Sequence, residues 1–364
     1  MQRRPILSWE KKVKKTVPYV AGEQPKDKSI IKLNTNECPY PPAPGVREAI
    51  RQLEQNANDL RLYPDMNATA LVDALASFYG IDSDQVFVGI GSDDVLALSF
   101  LTFFTNGAPI LFPDITYSFY PVWADLYGIR YKQVPLTESL SIDPFEYMPE
   151  LTRTRNGGII FPNPNAPTGF CEPLSKIERI VRANPDSVVI VDEAYIDFGG
   201  TSALPLIDKY DNLLIVQTFS KSRSMAGIRI GFAMGSKKLI DYLKDVKFSF
   251  KSYTMNLPSI MIGKAAVEDR AYFEETTAKI IKTREQFKKS LASLGFEMPD
   301  SKANFVFASH PRFSGDDLYK KLRERKILVR HWNKPGISEY LRITIGTDEQ
   351  MDAVTEALRE ITAS

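Results

Sequence analysis

Short apolar segments alternate with helical segments through most of the chain, and this alternation limits its fold more than any other feature. Segments that are apolar along their whole length, with helices between them, are typical of a mainly parallel sheet covered on both faces. The sequence therefore predicts an α/β fold for this part of the chain. We predict its strands over residues 86–90, 110–112, 131–134, 158–161, 188–191, 213–216 and 230–234.

Two helices in this region have clear starts. A helix over 67–79 is predicted because apolar residues recur at helical spacing, with Asn67 as its expected N-cap. A second helix over 95–104 is opened by the polar run at 91–94.

The pattern changes after residue 249. A long amphipathic helix is predicted over 271–294, with Gly295 at its end. Further strands and helices then alternate, at 304–308, 315–324, 327–329, 341–344 and 348–361. We expect three parts: residues 41–255 as a large domain, 256–364 as a smaller α+β domain, and 1–40 as an N-terminal arm that completes the smaller domain.

The composition excludes several classes of protein. The chain has 46 basic and 45 acidic residues, so its charge gives no case for binding nucleic acid or a membrane surface. The two cysteines, Cys38 and Cys171, cannot form a disulfide framework, and no His or Cys cluster has metal-ligand spacing. With no secretory signal and no run of roughly 20 apolar residues, we expect a cytoplasmic protein without a bound metal.

Polar residues whose side chains can take part in a reaction follow two of the predicted strands. Asp192 and Tyr195 come at the end of the strand at 188–191, and Ser220, Lys221 and Arg229 follow the strand at 213–216. Open α/β sheets bind ligands beyond the carboxyl ends of their strands. A lone lysine there would be an ordinary surface residue, but the neighbouring carboxylate and phenol favour a Schiff-base lysine in a site.

Two further loops follow strands. Gly91, Ser92 and Asp93 form a glycine turn at a helix start, whose free N–H groups suit a phosphate, although Ser and Asp are also good helix caps. The loop at 161–169 contains three prolines and two asparagines, and is either a plain proline turn or a rigid support for a ligand.

Taken together, these residues resemble the fold-type I aminotransferases that use pyridoxal 5′-phosphate (PLP), and more narrowly the histidinol-phosphate aminotransferase family. The resemblance covers nearly the whole chain. It depends on the segments at 33–37, 61–64, 91–93, 163–169, 192–195, 220–221 and 340–347.

The resemblance implies a role for each matching residue. Lys221 would hold PLP as a Schiff base, Asp192 would pair with the pyridine nitrogen, and Tyr195 would bond the O3′ oxygen. Tyr117 would stack on the cofactor ring. Tyr63 would reach the phosphate of the partner subunit's cofactor, which implies a homodimer. The turn at Gly91 and four side chains would surround the phosphate: Ser92, Asp93, Ser220 and Arg229.

One position departs from the family pattern. An asparagine usually stands directly before the Pro-Thr-Gly of the 163–169 loop and bonds O3′, but this chain has Ala166 there. Either Asn165 or Asn163 supplies the bond from a shifted loop, or Tyr195 makes it alone.

Two arginines are candidates for the anionic end of the substrate. Arg330 and Arg342 follow or lie in strands of the smaller domain, and a guanidinium binds carboxylate and phosphate equally well. The alternative is a pair of surface arginines on adjacent strands. Tyr19 and Asn34 are further candidates for the edge of the pocket.

The resemblance implies a ping-pong reaction in histidine biosynthesis, in which L-histidinol phosphate and 2-oxoglutarate give imidazole acetol phosphate and L-glutamate. An aromatic amino-acid aminotransferase and a threonine-phosphate decarboxylase share the same motifs and remain alternatives. A non-catalytic PLP module beside a DNA-binding domain is disfavoured by the net charge of +1 and the lack of a basic N-terminal helix-turn-helix. A scaffold without cofactor would require the polar residues at the strand ends to be coincidental.

Overall fold

The computed structural model describes residues 9–153 and 155–363, which form a seven-stranded sheet, a three-stranded sheet and a two-stranded pair. The strands are β1 (Ile31–Lys32), β2 (Val86–Gly89), β3 (Ile110–Pro113), β4 (Tyr131–Val134), β5 (Ile159–Pro162), β6 (Val189–Asp192), β7 (Leu213–Thr218), β8 (Gly231–Gly235), β9 (Phe305–Ser309), β10 (Ile327–Leu328), β11 (Arg330–His331) and β12 (Tyr340–Thr344). The α-helices are α1 (Pro44–Gln55), α2 (Thr69–Tyr79), α3 (Ser92–Phe103), α4 (Tyr120–Tyr127), α5 (Pro149–Thr152), α6 (Leu174–Ala183), α7 (Lys237–Phe250), α8 (Leu257–Glu268), α9 (Arg270–Ser293), α10 (Gly315–Glu324) and α11 (Asp348–Ala363).

The large sheet has the strand order β2-β8-β7-β6-β5-β3-β4. Its pairs are parallel except for those of β8, which runs antiparallel to both β2 and β7. The prediction of a mainly parallel sheet is confirmed. Because β5, β6 and β7 are parallel and in register, their carboxyl ends meet at one edge of the sheet.

Both faces of the large sheet are buried, which explains why its strands are apolar at every position. Val189 and Val191 of β6 face one apolar cluster, whereas Ile190 between them faces another. Helices cover both clusters, so each successive side chain of the strand is taken out of water.

The smaller sheet has the antiparallel order β11-β12-β9 and packs against a third apolar cluster that includes residues of α9, α10 and α11. β1 pairs in parallel with β10 and thereby brings the segment after it beside this sheet. Helix α8, in contrast, packs on α1 and α2 beside the large sheet. The division of the chain at residues 40 and 255 stays a prediction.

The predicted N-cap of α2 is wrong. The residue before the helix is Ala68, in the left-handed region with a φ of 51°, and Asn67 lies outside the cap position. The carboxylate of Asp65 instead accepts hydrogen bonds from the N–H groups of Asn67 and Thr69, at 2.9 and 2.7 Å. Asp and Asn are equally good acceptors at a helix start, so composition alone does not distinguish them.

The remaining predicted elements are confirmed to within a few residues at their ends. In the part of the chain that the structure describes, no helix is both long and apolar enough to cross a membrane.

Candidate active site

A pocket lies beyond the carboxyl edge of the large sheet and is closed on its other side by the smaller sheet. Residues from both sheets and from the segments before α1 line it. The predicted site residues that the structure brings together here are Tyr19, Asn34, Ser92, Asp93, Tyr117, Asp192, Tyr195, Ser220, Lys221, Arg229, Arg330 and Arg342. Three others, Gly91, Asn165 and Tyr63, are not part of the lining.

Lys221 lies just beyond the end of β7, where the chain turns. The hydroxyl of Thr218 accepts a hydrogen bond from the backbone N–H of Ser220 at 3.1 Å and so stabilises this turn. The Lys221 ammonium donates to the carbonyl oxygen of Thr35 at 3.0 Å and lies 5.7 Å from the centroid of the Tyr195 ring. The amine is thus held inside the pocket, beside the phenol.

Asp192 ends β6 at the floor of the pocket. Its Oδ2 accepts a hydrogen bond from the hydroxyl of Tyr120 at 2.9 Å, and its Oδ1 accepts one from the N–H of Ala194 at 3.2 Å. Burial raises the pKa of Asp192 to about 6, although both hydrogen bonds and the charge of Lys221 oppose the rise. A buried carboxylate with this pKa is strongly stabilised by a positive group placed next to it.

Tyr195 is oriented by an asparagine from the segment after β1. Its hydroxyl oxygen accepts a hydrogen bond from Nδ2 of Asn36 at 2.9 Å. Asn36 is itself fixed, because its Oδ1 accepts from the hydroxyl of Thr344 and its carbonyl accepts from Nδ2 of Asn304, both at 3.0 Å. Since the phenol oxygen already accepts a bond, its own proton remains available for a group in the pocket.

The first N–H groups of α3, together with Ser220 and Arg229, form a set of hydrogen-bond donors suited to an anion, which we call the anion cradle. The first N–H groups of a helix have no partner within the helix and carry partial positive charge. The Arg229 guanidinium lies beside this helix start, where it donates to Ser220 Oγ at 3.3 Å and pairs with Asp93 at 3.4 Å. Asp93 also accepts from the Tyr117 hydroxyl at 2.9 Å, so its carboxylate holds the arginine and the tyrosine in place.

Two glycines allow the backbone to close around this cradle. A Cβ on Gly231 would lie 2.1 Å from the backbone nitrogen of Ser92, and a Cβ on Gly91 would lie 2.5 Å from Nη2 of Arg229. Gly91 also has a φ of 85°, which side-chain-bearing residues rarely adopt. Gly91 therefore contributes its backbone conformation to the site and does not line the pocket.

Two arginines face the pocket from the smaller sheet. Arg330 and Arg342 are directly opposite each other in the β11–β12 pair. Nη2 of Arg342 donates to the carbonyl oxygen of Asn34 at 3.0 Å, whereas its Nε is buried and has no acceptor among the described residues. Burial lowers the pKa of Arg342, and the charge of Arg330 lowers it further. A buried cation with an unpaired donor is suited to bind an anion.

The asparagines of the proline-rich loop at 161–169 make hydrogen bonds within the protein that stabilise the loop. Nδ2 of Asn165 donates to the carbonyl of Ile115 at 3.0 Å and to the Thr168 hydroxyl at 3.1 Å. The amide of Asn163 bonds the backbone of Glu172 in both directions, at 2.7 and 3.3 Å. Ala166 lines the pocket in their place. Of the alternatives that the sequence leaves open for the O3′ bond, this geometry favours Tyr195.

Three residues of the site were not assigned to it from the sequence. Tyr120 was detectable as the next tyrosine, three residues after Tyr117. Asn36 stands in the motif at 33–37, but nothing in the sequence pairs it with Tyr195, which is 159 positions away. Trp332 follows Arg330 by two residues, and in an extended chain residues at this spacing lie on one face.

The residues present fit pyridoxal 5′-phosphate. The cradle offers N–H groups, hydroxyls and a guanidinium to a phosphate, and the buried Asp192 needs a positive group such as a protonated ring nitrogen. Lys221 is within the same pocket to bind an aldehyde. Within the two described ranges there is no cluster of three or more His, Cys, Asp or Glu side chains that could hold a metal ion.

Known proteins are similar to this chain along most of its length. Residues 28–358 match the family described as aminotransferase class I and II. The histidinol-phosphate aminotransferase of Lactococcus lactis subsp. cremoris (strain MG1363) is 51% identical over 354 residues, covering 97% of this chain and 98% of that protein. Histidinol-phosphate aminotransferase 2 of Dechloromonas aromatica (strain RCB) is 52% identical over 355 residues, covering 97% of this chain and 99% of that protein.

The fold is also that of a solved structure, the histidinol-phosphate aminotransferase of Sinorhizobium meliloti in complex with pyridoxal-5′-phosphate. The two chains superpose with a TM-score of 0.82 at 24% identity, covering 92% of this chain and 91% of the other. The family match spans most of the sequence, and the two relatives align along nearly all of it. The chain therefore belongs to the class I and II aminotransferases and, within them, to the histidinol-phosphate aminotransferase family.

Proposed function

We propose that this protein is a transaminase of histidine biosynthesis that converts L-histidinol phosphate and 2-oxoglutarate into imidazole acetol phosphate and L-glutamate. The observation that carries the proposal is one pocket containing both Lys221 with its carboxylate and phenol partners and the arginine pair Arg330 and Arg342. The relatives that are 51–52% identical are named for the same activity.

The cofactor of this enzyme is pyridoxal 5′-phosphate. When bound, its protonated ring supplies an electron sink for the charge that remains after a proton leaves the substrate carbon. Asp192 would keep the ring nitrogen protonated, because a carboxylate buried with a cation is strongly favoured over one buried alone. Ser92, Ser220 and Arg229 would hold the phosphate at the start of α3, and Tyr117 would lie against the ring.

Lys221 would bind the cofactor aldehyde, and its amine would serve as general base and acid for the α-proton of the substrate. The carbonyl of Thr35 accepts from the lysine at 3.0 Å and can steady the free amine. The Tyr195 hydroxyl, whose oxygen accepts from Asn36, would donate to O3′.

The arginine pair would take the anionic end of each substrate in turn. Arg330 and Arg342 would bind the phosphate of the amine and then a carboxylate of glutamate, because the guanidinium fork suits both anions. Asn34 holds Arg342 through its carbonyl, and Tyr19 stacks on Phe119 at 4.3 Å at the edge of the pocket.

We propose further that the enzyme works as a cytoplasmic homodimer. Tyr63 lies outside the pocket of its own chain, is 81% exposed and stacks on Tyr253 with ring centroids 4.5 Å apart. A large exposed aromatic pair of this kind is suited to an interface. In such a dimer Tyr63 would reach the cofactor phosphate of the partner subunit.

An amine panel tests the assigned reaction. The purified enzyme is given 2-oxoglutarate with L-histidinol phosphate, L-phenylalanine or O-phospho-L-threonine, and glutamate formation and carbon dioxide release are both measured. We expect the highest kcat/KM with L-histidinol phosphate and no carbon dioxide. Faster turnover of phenylalanine would identify an aromatic aminotransferase, and carbon dioxide release without need of the oxo acid would identify a decarboxylase.

A further inference from the structure

The two pocket arginines form an unusual cross-strand pair. Arg330 and Arg342 are directly opposite partners of β11 and β12, so their side chains leave the sheet on the same face. Like charges at such positions destabilise a sheet. Among the described residues, neither guanidinium is in an ion pair with a carboxylate, so the repulsion is not relieved by a counter-charge. A contact that attracts both cations would offset this repulsion in the free enzyme.

Trp332 lies against both guanidinium groups. The centroid of its ring lies 5.3 Å from the guanidinium carbon of Arg330 and 5.2 Å from that of Arg342. The electron-rich face of an indole attracts cations more strongly than that of any other side chain. One ring therefore contacts both positive charges, and Trp332 itself lines the pocket.

A second ring completes the support of Arg342. Its guanidinium carbon lies 5.2 Å from the centroid of Phe305, which is fully buried. Phe305 in turn meets Tyr195 edge to face, with centroids 5.1 Å apart. Arg342 thus lies between Trp332 and Phe305, and Phe305 also contacts the phenol in the catalytic part of the pocket.

We propose that Trp332 is a specificity-determining residue, which holds Arg330 and Arg342 at the spacing that a phosphate dianion needs and so favours a phosphate-bearing amine over a carboxylate-bearing one. A carboxylate has one negative charge and two oxygens, which a single guanidinium fork can satisfy. A phosphate ester has up to two charges and three terminal oxygens, and gains from two forks at once. Loss of the ring would let the arginines separate, and the dianion would lose more than the monoanion.

The choice of histidinol phosphate as probe depends on the proposed function, whereas binding of inorganic phosphate does not. The test therefore uses both on the cofactor-loaded enzyme. Trp332→Leu removes the aromatic face, Trp332→Phe keeps a weaker one, and Trp9→Leu is a matched control at a tryptophan outside the pocket. Dissociation constants for inorganic phosphate are measured by calorimetry, and kcat/KM is measured separately for L-histidinol phosphate and L-glutamate.

We expect Trp332→Leu to weaken phosphate binding about tenfold and to lower kcat/KM for histidinol phosphate by a similar factor, mainly through KM. The value for glutamate should change by less than about threefold, Trp332→Phe should be intermediate, and Trp9→Leu should match the wild type. Equal losses for the two amines, or unchanged phosphate binding in Trp332→Leu, would overturn the proposal.

Two further outcomes separate the possible failures. If the wild type does not turn over histidinol phosphate, the proposed function is wrong, while the ratio of phosphate affinities between wild type and variant still decides the role of Trp332. If Trp332→Leu does not fold, Trp332→Phe decides: weaker phosphate binding supports the proposal, and wild-type affinity overturns it.

Discussion

At the scale of single residues, the site depends on side chains that position the site residues without facing the ligand themselves. Tyr120 is fully buried, and its hydroxyl donates to Asp192 at 2.9 Å. Ala194 supplies the other hydrogen bond to this carboxylate. Together they fix the plane of Asp192 and lower its pKa against the large rise that burial causes. Asp192 can then remain ionised opposite a protonated ring.

Removal of the Tyr120 hydroxyl tests this role. We expect Tyr120→Phe to weaken cofactor binding roughly tenfold, because a buried carboxylate that loses one partner costs about 1–3 kcal/mol. The dissociation constant for pyridoxal 5′-phosphate, measured by equilibrium dialysis, checks this. Tyr242→Phe, at a half-exposed tyrosine outside the pocket, is the control and should bind as the wild type. Unchanged affinity in Tyr120→Phe would show that Asp192 needs no such support.

At the scale of elements, the antiparallel strand β8 places the cradle. It lies between β2 and β7, so Gly231 pairs with Gly89 on one side and with Thr218 on the other. The residue two positions before it, Arg229, has a left-handed φ of 59° and turns its guanidinium toward Ser220. The arginine, the lysine loop and the start of α3 are thus brought together by one strand.

The close approach of β8 predicts a strict requirement for glycine. In Gly231→Ala the new Cβ would meet backbone atoms of Gly91 and Ser92 at 2.1–2.2 Å, and backbone cannot move aside as a side chain can. We expect a loss of about 1–3 kcal/mol in unfolding free energy and a clear loss of cofactor affinity. Chemical denaturation and dialysis measure the two. Gly45→Ala, where a Cβ finds ordinary contacts at 3.5 Å, should leave the affinity unchanged.

Some features of these elements can be predicted from the sequence, and others cannot. The strands were predictable because burial on both faces makes every position apolar, and the lysine, carboxylate and phenol were predictable because they stand at strand ends. The direction of β8 was not, since an apolar run reads the same in either direction. The bond between Asn36 and Tyr195 was not predictable either, because only the fold brings these distant residues together.

At the scale of the whole molecule, the segment after β1 links the two sheets through the site. The carbonyls of Asn34 and Thr35 accept from Arg342 of the smaller sheet and from Lys221 beyond the larger one.

Behind the site lies a buried carboxylate, Glu193, which accepts hydrogen bonds from Ser202, Ala203 and Gln217. Burial raises its pKa to about 7 in spite of these bonds.

This raised pKa gives the whole molecule a pH-dependent stability. The native protein binds a proton at Glu193 more tightly than the unfolded chain does, whose ordinary pKa is 4.5. The stability that this proton contributes is complete below about pH 4.5 and is lost as the pH rises through about 7. We expect the unfolding free energy of the loaded enzyme to fall by up to about 3 kcal/mol over this window.

Denaturant unfolding at a series of pH values measures the effect. Glu193→Gln, which cannot ionise, should lose the part of the slope that Glu193 contributes, while Glu339→Gln at an exposed glutamate should keep the full slope. A wild-type slope that survives in Glu193→Gln would assign the pH dependence to other groups.

The most direct test of the account is the visible absorption of the purified enzyme on addition of L-histidinol phosphate without any oxo acid. We predict a yellow protein whose absorption bleaches at once in the wild type, and no turnover in Lys221→Ala, which should still bind the cofactor weakly. A wild-type band that persists with histidinol phosphate, or normal turnover in Lys221→Ala, would contradict the account.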